Sequence, residues 1–179
     1  MYREKTIFDN ISVLVADNGP AFKTIIRAVL NALKITDIKF VESGKKAFEA
    51  ANTSAFDVAI INRDLDDHSG VDVVSMLRVS PHSRETMLPV IMMAANWGMP
   101  QINAARDAGV NEYLVIPFSQ AQLQKRLVAI LKNPRPFIKD DDFFGPDRRR
   151  RENPALKPAE RRIIDPEIIE QEIPRKARA

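Results

Sequence analysis

Cysteine is absent from this chain of 179 residues. Its absence excludes disulfide bonds, metal sites built on thiolates and cysteine nucleophiles. A chain without disulfides suits a reducing compartment, and we expect a cytoplasmic protein. The first ten residues carry four charged side chains and no apolar run, so we expect no signal peptide there.

Long apolar runs and an excess of charge of one sign are also missing. No stretch is apolar for long enough to span a bilayer, so we expect no membrane insertion. The 27 basic and 24 acidic residues leave a formal net charge of only +3, which disfavours a general nucleic-acid binder. The length fits one ordinary domain with an appendage, and a hydrophobic fraction of 45% is enough to form a core.

Two periodicities alternate over the first 132 residues. Short apolar runs rich in β-branched residues indicate buried strands, and apolar residues at helical spacing indicate helices. Strands are predicted at Ile11–Ala16, Lys39–Val41, Asp57–Ile61, Leu88–Met93 and Glu112–Ile116. Helices are predicted across 22–33, 45–51, 71–77, 99–108 and from Ser119 onward. This alternation predicts an α/β fold with a doubly wound, five-stranded parallel sheet and five helices.

The carboxyl ends of the strands are where such a sheet carries its function. The residues that matter most are therefore those just after Ala16, Ile61, Met93 and Val115. No nucleophile–base pair, phosphate-binding loop or metal-ligand set occurs at these positions, so we do not expect an enzyme.

The composition changes after Lys132. Seven of the twelve prolines lie in residues 133–179, together with a high density of charge. Proline breaks helices and charge disfavours a second core, so this segment is predicted to be an extended, partly disordered tail. One short helix is predicted across about 165–173, because Asp165-Pro166-Glu167 resembles a helix start. The predicted organisation is a leader over 1–8, a domain over 9–132 and a tail over 133–179.

Three segments resemble the CheY-like receiver domain of bacterial two-component response regulators, over about residues 9–132. They are VLVADNGPAFKTIIRAVL, FDVAIINRDLDDHSGVDVVSMLR with Gly70 at the glycine of the family, and ARDAGVNEYLVIPFS. The resemblance implies a flavodoxin-like sheet with strand order 2-1-3-4-5. It also implies a chemistry, in which two acidic residues and an aspartate hold Mg²⁺ and the aspartate accepts a phosphoryl group. A Ser/Thr and a Lys then contact that group.

Most residues of that chemistry are replaced in this chain. The acidic pair corresponds to Ala16 and Asp17, and the phosphoacceptor to Asn62. The Ser/Thr position corresponds to Ala94 and the Lys position to Ile116. An amide is a poor nucleophile, and Mg²⁺ prefers several anionic or carbonyl oxygens. We therefore expect a degenerate receiver with no catalytic residue, no cofactor and no bound Mg²⁺.

Other acidic residues of the same loop offer an alternative. Asp64, Asp66 and Asp67 either form a displaced acceptor or metal cluster, or are a solvated acidic loop before a helix start, which is the interpretation we favour. Asp17 has a similar alternative as a helix-capping or structural carboxylate. His68 has no partner at ligand spacing, which argues against a metal role.

Two aromatic residues are candidates for an interaction surface. In the family, partners dock on the face of the fourth helix, fifth strand and fifth helix, and Tyr113 occupies the position of a switch aromatic there. In the family the ring moves when the Ser/Thr moves toward the phosphoryl group. Ala94 has no hydroxyl for such a movement, so we expect one preferred position for Tyr113, where it either contacts a partner or packs for stability. Trp97 is the only tryptophan, and it is either an exposed anchor or a plug for the space left by the missing polar site.

The tail adds two further candidate groups. The run Phe143 to Arg151, FFGPDRRRR, resembles C-terminal extensions of single-domain receivers of alphaproteobacteria. Phe143 and Phe144 are predicted to anchor the tail on the domain. Four arginines follow, Arg148, Arg149, Arg150 and Arg151. They either bind a phosphate-rich ligand such as a cyclic dinucleotide or the acidic patch of a partner, or they pair with nearby aspartates or are solvated, which is the interpretation we favour.

A receiver fold without its phosphorylation site predicts a binding module. Its expected partners are a histidine kinase, a phosphotransferase or another regulator, and a homodimer through the fourth-helix face is an open alternative. The competing hypothesis is a small-ligand effector that uses the arginine-rich tail. Binding to nucleic acid is not expected, because the tail is too short and too rich in proline for a winged-helix domain.

Overall fold

Ten elements alternate along the first 132 residues in the computed structural model, which describes residues 6–140, 143–148 and 167–170. The strands are β1 (Ser12–Ala16), β2 (Asp37–Val41), β3 (Val58–Asn62), β4 (Val90–Ala94) and β5 (Glu112–Val115). The helices are α1 (Pro20–Ala32), α2 (Gly44–Thr53), α3 (Gly70–Val79), α4 (Met99–Asp107) and α5 (Gln120–Lys132). The predicted alternation is confirmed, with ends that differ by a few residues.

The five strands form one parallel sheet in the order β2-β1-β3-β4-β5. One apolar cluster packs α2, α3 and α4 on one face of this sheet, and a second packs α1 and α5 on the other. The predicted doubly wound, flavodoxin-like fold is confirmed. Among the described residues, no helix is long and apolar enough to cross a bilayer.

The two ends of the predicted domain extend further than the sequence indicates. Phe8, the last residue of the predicted leader, is buried in the cluster of α1 and α5. After α5 the chain forms an antiparallel hairpin of β6 (Phe137–Asp140) and β7 (Phe143–Pro146). The predicted boundary at residue 132 therefore falls between α5 and a hairpin that belongs to the packed body.

The predicted helix across 165–173 is wrong for the residues that the structure describes there. Glu167–Ile169 form β8, which pairs antiparallel with β6 and gives a second sheet in the order β7-β6-β8. Two β-branched residues, Ile168 and Ile169, suit a strand, and the edge of β6 supplies the backbone partners. A long-range partner of this kind overrides the local helix-start signal at Asp165-Pro166.

The hairpin attaches below the amino ends of β4 and β5. Phe137 is fully buried, and the guanidinium carbon of Arg78 lies 5.1 Å from the centre of its ring. A Cβ atom on Gly145 would lie 2.9 Å from the Cα of Gly109, so the two backbones touch. Arg135 donates to Glu112 Oε1 at 2.7 Å. These contacts join the hairpin and the residue Arg135 before it to the end of α3, to the turn before β5 and to the start of β5.

Candidate functional site

The carboxyl ends of the strands bring the sequence-predicted site residues together. The strand registers pair Ala16 with Ile61, Asn62 with Met93 and Ala94 with Val115. Asp17 and Ile116 follow directly, and the Ile116 N–H donates to the Ala94 carbonyl at 2.9 Å. The predicted convergence of Ala16, Asp17, Asn62, Ala94 and Ile116 at one edge of the sheet therefore matches the geometry.

Gly70 allows the loop after β3 to close tightly above this edge. A Cβ atom at Gly70 would lie only 2.4 Å from the Asn62 carbonyl oxygen and 3.0 Å from the Arg63 Cα. Only glycine fits this approach of α3 to the end of β3. Asn62 is thereby held at a fixed distance from the start of α3.

Asp17 and Asn62 satisfy each other. The Asn62 side-chain amide Nδ2 donates to Asp17 Oδ2 at 2.7 Å, and the Gly19 N–H donates to the other oxygen, Oδ1, at the same distance. The Asn62 Oδ1 atom accepts from the Asp64 N–H at 3.0 Å. The Asn62 amide therefore faces Asp17 with an N–H donor. Asp17 also accepts from the N–H of Gly19, which precedes α1, but it does not cap the helix, because α1 has no side-chain cap hydrogen bond.

The remaining carboxylates of the loop have separate partners. Asp64 forms a two-bond ion pair with Arg63, and Asp66 accepts from Asn18 Nδ2 at 2.7 Å. Asp67 accepts from the backbone N–H groups of Lys45 and Gly44 at the start of α2. These backbone donors hold the pKa of Asp67 well below its usual range, and the N–H of Lys45 has the largest effect.

Because each of the three aspartates has a different partner, their carboxylates do not converge on one point. In the part of the chain that the structure describes, no group of three or more His, Cys, Asp or Glu side chains is placed to hold a metal ion. His68 is exposed and lies 3.4 Å from Asp67. The geometry favours the solvated acidic loop over the displaced metal cluster.

The other two replaced positions are apolar. The Ala94 side chain is fully buried and offers no hydroxyl. Ile116 is half-buried and packs against the core cluster of α1 and α5. A lysine at position 116 would lose this apolar contact. Hydrophobic packing of Ile116 therefore stabilises the position that the family's lysine occupies.

Arg63 was missed by the sequence reasoning, although it contacts three neighbours at the mouth of the site. Its guanidinium binds Asp64, donates to the Asn96 carbonyl and lies 5.5 Å from the centre of the Trp97 ring. Its position directly after Asn62 in the site loop was the available signal. A basic residue beside an acidic cluster is usually only solvated, so spacing alone does not predict these contacts.

Trp97 is intermediate between the exposed and the buried positions that the sequence left open. It is half-buried, and its ring meets Tyr113 edge-on with centroids 5.2 Å apart. Its Nε1 donates to the Leu114 carbonyl at 3.4 Å. The indole therefore packs on the strand next to the site and keeps part of its surface in solvent. Tyr113 is half-buried and belongs to the packed side of this pair.

The aromatic and basic candidates of the tail lie at the other end of the sheet. Phe144 packs on Phe137 with centroids 5.5 Å apart. The Arg148 guanidinium carbon lies 3.6 Å from the centre of the Phe143 ring, and its Nη1 lies 3.2 Å from Asp107 Oδ1. Both ring contacts lie within the segment 137–148, so the anchoring of the tail on the domain by Phe143 and Phe144 stays a prediction. Arg149, Arg150 and Arg151 lie outside the described residues.

The family model of the response regulator receiver domain matches residues 13–128, which is more than half of the chain. The chain belongs to the response regulator receiver domain family. The chemotaxis protein CheY1 of Helicobacter pylori strain J99 is 30% identical over 122 residues, which cover 68% of this chain and 97% of that protein. The chemotaxis protein CheY-3 of Vibrio cholerae is 26% identical and covers 72% of this receiver and 98% of its own length.

Solved structures agree with the fold of this receiver. The chemotaxis response regulator CheY4 of Vibrio cholerae superposes with a TM-score of 0.61 at 21% identity, over 68% of this chain and 98% of that one. The receiver domain of the sensor histidine kinase PA1611 of Pseudomonas aeruginosa superposes with a TM-score of 0.59 at 26% identity. This match covers 66% of this chain and 94% of the PA1611 receiver domain, and the PA1611 structure has a magnesium ion in its active-site cleft.

The residues of this receiver do not fit such an ion. Both Asp17 oxygens already accept short hydrogen bonds, and one of the two donors is the Asn62 amide at the acceptor position. Ala16 offers no oxygen at the position of the other acidic residue. A hard cation that takes oxygen ligands would meet an N–H donor and a methyl group here.

Proposed function

We propose that this receiver takes part in two-component signalling without being phosphorylated, by binding another signalling protein. The hydrogen bond from Asn62 Nδ2 to Asp17 Oδ2, at 2.7 Å, carries the proposal. It puts an unreactive amide where the family has its nucleophile, and it satisfies the carboxylate that would otherwise bind the ion. Ala94 and Ile116 remove the hydroxyl and the cation that would contact a phosphoryl group. We further propose that the chain needs no cofactor, has no enzymatic activity and acts in the cytoplasm.

The phosphorylation part of the proposal is tested by intact mass spectrometry. The full chain is incubated with acetyl phosphate and Mg²⁺, beside a receiver that carries all the acidic, hydroxyl and lysine residues of the family. We expect a phosphoryl adduct on the comparison receiver and none on this chain, because Asn62 cannot form an acyl phosphate. A stable adduct on any aspartate of this chain would contradict the proposal.

The proposed docking face consists of α4, β5 and α5. Two large apolar side chains are exposed on it, Met99 at 67% and Val115 at 52%. The ring pair joins Trp97, in the loop just before α4, to Tyr113 in β5. Exposed apolar side chains beside aromatic rings favour a protein partner, and a histidine kinase, a phosphotransferase or another regulator has the matching role. A second copy of this chain is the alternative occupant of the same face.

A charge placed on this face is expected to weaken binding. Val115→Asp puts a carboxylate at the centre of the proposed contact, and we expect capture of the kinase, phosphotransferase or regulator to fall by about tenfold or more. Val79→Asp is the matched control, because Val79 is 72% exposed at the far end of α3. Capture is measured by affinity purification with quantitative mass spectrometry, and the oligomeric state by light scattering. Equal capture by both variants would place the docking surface elsewhere.

The small-ligand alternative gains no support from the described residues. Arg148 stacks on Phe143 and pairs with Asp107 in α4, so its guanidinium is already engaged by the protein. Binding of a cyclic dinucleotide by the remaining arginines stays a prediction of the sequence. We propose the interaction module as the function.

A further inference from the structure

The backbone of Arg63 is hydrogen-bonded on both sides, to β4 and to the start of α3. Its N–H donates to the Met93 carbonyl at 2.8 Å, and its own carbonyl accepts from the Gly70 N–H at 2.8 Å. Its side chain is only 18% exposed. The guanidinium therefore extends from a rigid point between the end of β3 and the end of β4.

The guanidinium joins two loops that are separate in the chain. It forms two parallel bonds of 2.9 Å to the Asp64 carboxylate in the loop after β3. It also donates to the Asn96 carbonyl and lies against the face of Trp97, both in the loop between β4 and α4. The contacts of Arg63 with Asp64, Asn96 and Trp97 are called the Arg63 clasp below.

The contacts to the second loop distinguish the clasp from an ordinary surface ion pair. Asp64 is 62% exposed, and an exposed pair of adjacent residues adds little stability. The Arg63 side chain adds a bond to the Asn96 carbonyl and a cation–π contact with the Trp97 ring, and each of these reaches a residue more than 30 positions away in the chain. Trp97 continues the connection to β5 through Leu114 and Tyr113.

We propose that Arg63 is a positioning residue that holds the loop between β4 and α4, with Trp97, in one conformation without any phosphoryl group. In receivers that are phosphorylated, the family resemblance assigns the contact between these loops to the phosphoryl group and a Ser/Thr. Here a permanent cation makes the contact, at Asn96 and Trp97 in the loop that follows Ala94. The inference rests on the proposed function, because a site that is not phosphorylated needs a permanent means of presenting α4 to a partner.

Amide hydrogen exchange of the full chain tests the inference. The Ile102 N–H donates to the Gly98 carbonyl at 3.0 Å and reports on the first turn of α4. In Arg63→Ala we expect Ile102 to exchange about tenfold faster, which corresponds to about 1.4 kcal/mol of lost local stability. The Leu123 N–H, in the matching place of α5, donates to Ser119 at 3.2 Å and should keep its rate.

A second readout is Trp97 itself, the only tryptophan of the chain. Arg63→Ala should make its fluorescence more accessible to acrylamide, because the guanidinium no longer covers the ring. Arg106→Ala is the matched control, since Arg106 also pairs with the aspartate that follows it but has no described ring contact. Arg63→Lys keeps the charge without the planar two-bond geometry, and both readouts should lie between those of the parent and those of Arg63→Ala. It replaces Arg63→Ala as the test variant where the alanine variant folds poorly.

Two outcomes would overturn the inference. One is an Arg63→Ala variant whose Ile102 exchange and Trp97 quenching equal those of the parent. The other is an equal change in both readouts for Arg106→Ala. Neither depends on acetyl phosphate, so a phosphoryl adduct would refute the proposed function and leave the measurement of the clasp intact.

Discussion

Replacing Arg78 with alanine is expected to lower the free energy of unfolding by about 3–5 kcal/mol. Arg78 lies near the end of α3 and is only 4% exposed. Its guanidinium donates to the carbonyls of Thr86, Leu88 and Gly109 at 2.7 to 3.2 Å. Urea unfolding of the parent and the variant, followed by circular dichroism, measures the difference.

Two opposing effects decide the size of this loss. Burial disfavours the cation and lowers the pKa of Arg78 to about 9, so the residue is still charged at neutral pH. Removing it therefore recovers a desolvation cost. The variant, however, leaves three carbonyl oxygens without their donor, at about 1–3 kcal/mol for each buried group, and opens a cavity. The unsatisfied carbonyls outweigh the recovered desolvation.

A matched control separates this network from the general effect of losing an arginine. Arg84 is exposed, and its backbone N–H, which alanine retains, donates to Asn52 Oδ1. Arg84→Ala should change the stability by no more than about 0.5 kcal/mol. A loss below about 1 kcal/mol for Arg78→Ala would mean that water replaces the guanidinium at the carbonyls.

Phe137→Ala is expected to cost about 3–5 kcal/mol of unfolding free energy, although residue 137 lies beyond the predicted domain. The Phe137 ring is fully buried between Arg78 and Phe144. Its loss removes apolar burial, leaves a cavity and uncovers the guanidinium of Arg78. Thermal and urea unfolding of the full-length variant measure this contribution.

Ile168→Ala is the control for Phe137, because it changes an apolar residue of the same small sheet. Ile168 is 68% exposed in β8, so its truncation should stay within about 0.5 kcal/mol. The double variant Arg78→Ala/Phe137→Ala should lose less than the sum of the single losses, since the two side chains share one contact. Equal effects of Phe137→Ala and Ile168→Ala would show that the hairpin does not stabilise the receiver.

Hydrophobic periodicity was enough to predict the five-stranded sheet and its helices. Strands such as VLVA at 13–16 are buried on both faces and have no other stable place than the middle of a parallel sheet. The topology then brings the strand ends together, so Asn62 and Asp17 were expected as neighbours. Their hydrogen bond depends on side-chain orientation, which the sequence does not specify.

The hairpin and the Arg63 clasp depend on contacts between distant parts of the chain. Phe137 meets Arg78, 59 positions earlier by their numbers, and a proline-rich, charged segment carries no periodic signal for that contact. The same holds for β8, where pairing with β6 opposes the local signal for a helix start. Local propensity is weak compared with burial and backbone pairing, so tertiary structure decides such segments.

The sequence by itself determined the receiver fold and the place of the site, and it predicts the loss of the family's chemical groups, because residue types at strand ends are read directly from the chain. Only the tertiary structure decided what replaced them. Asn62 bonds to Asp17, Ile116 joins the core, and Arg63 connects two loops. It also decided that the body extends through the hairpin. The physical reason is that hydrogen bonds and packing depend on distance and direction in space, and chain order does not encode either one locally.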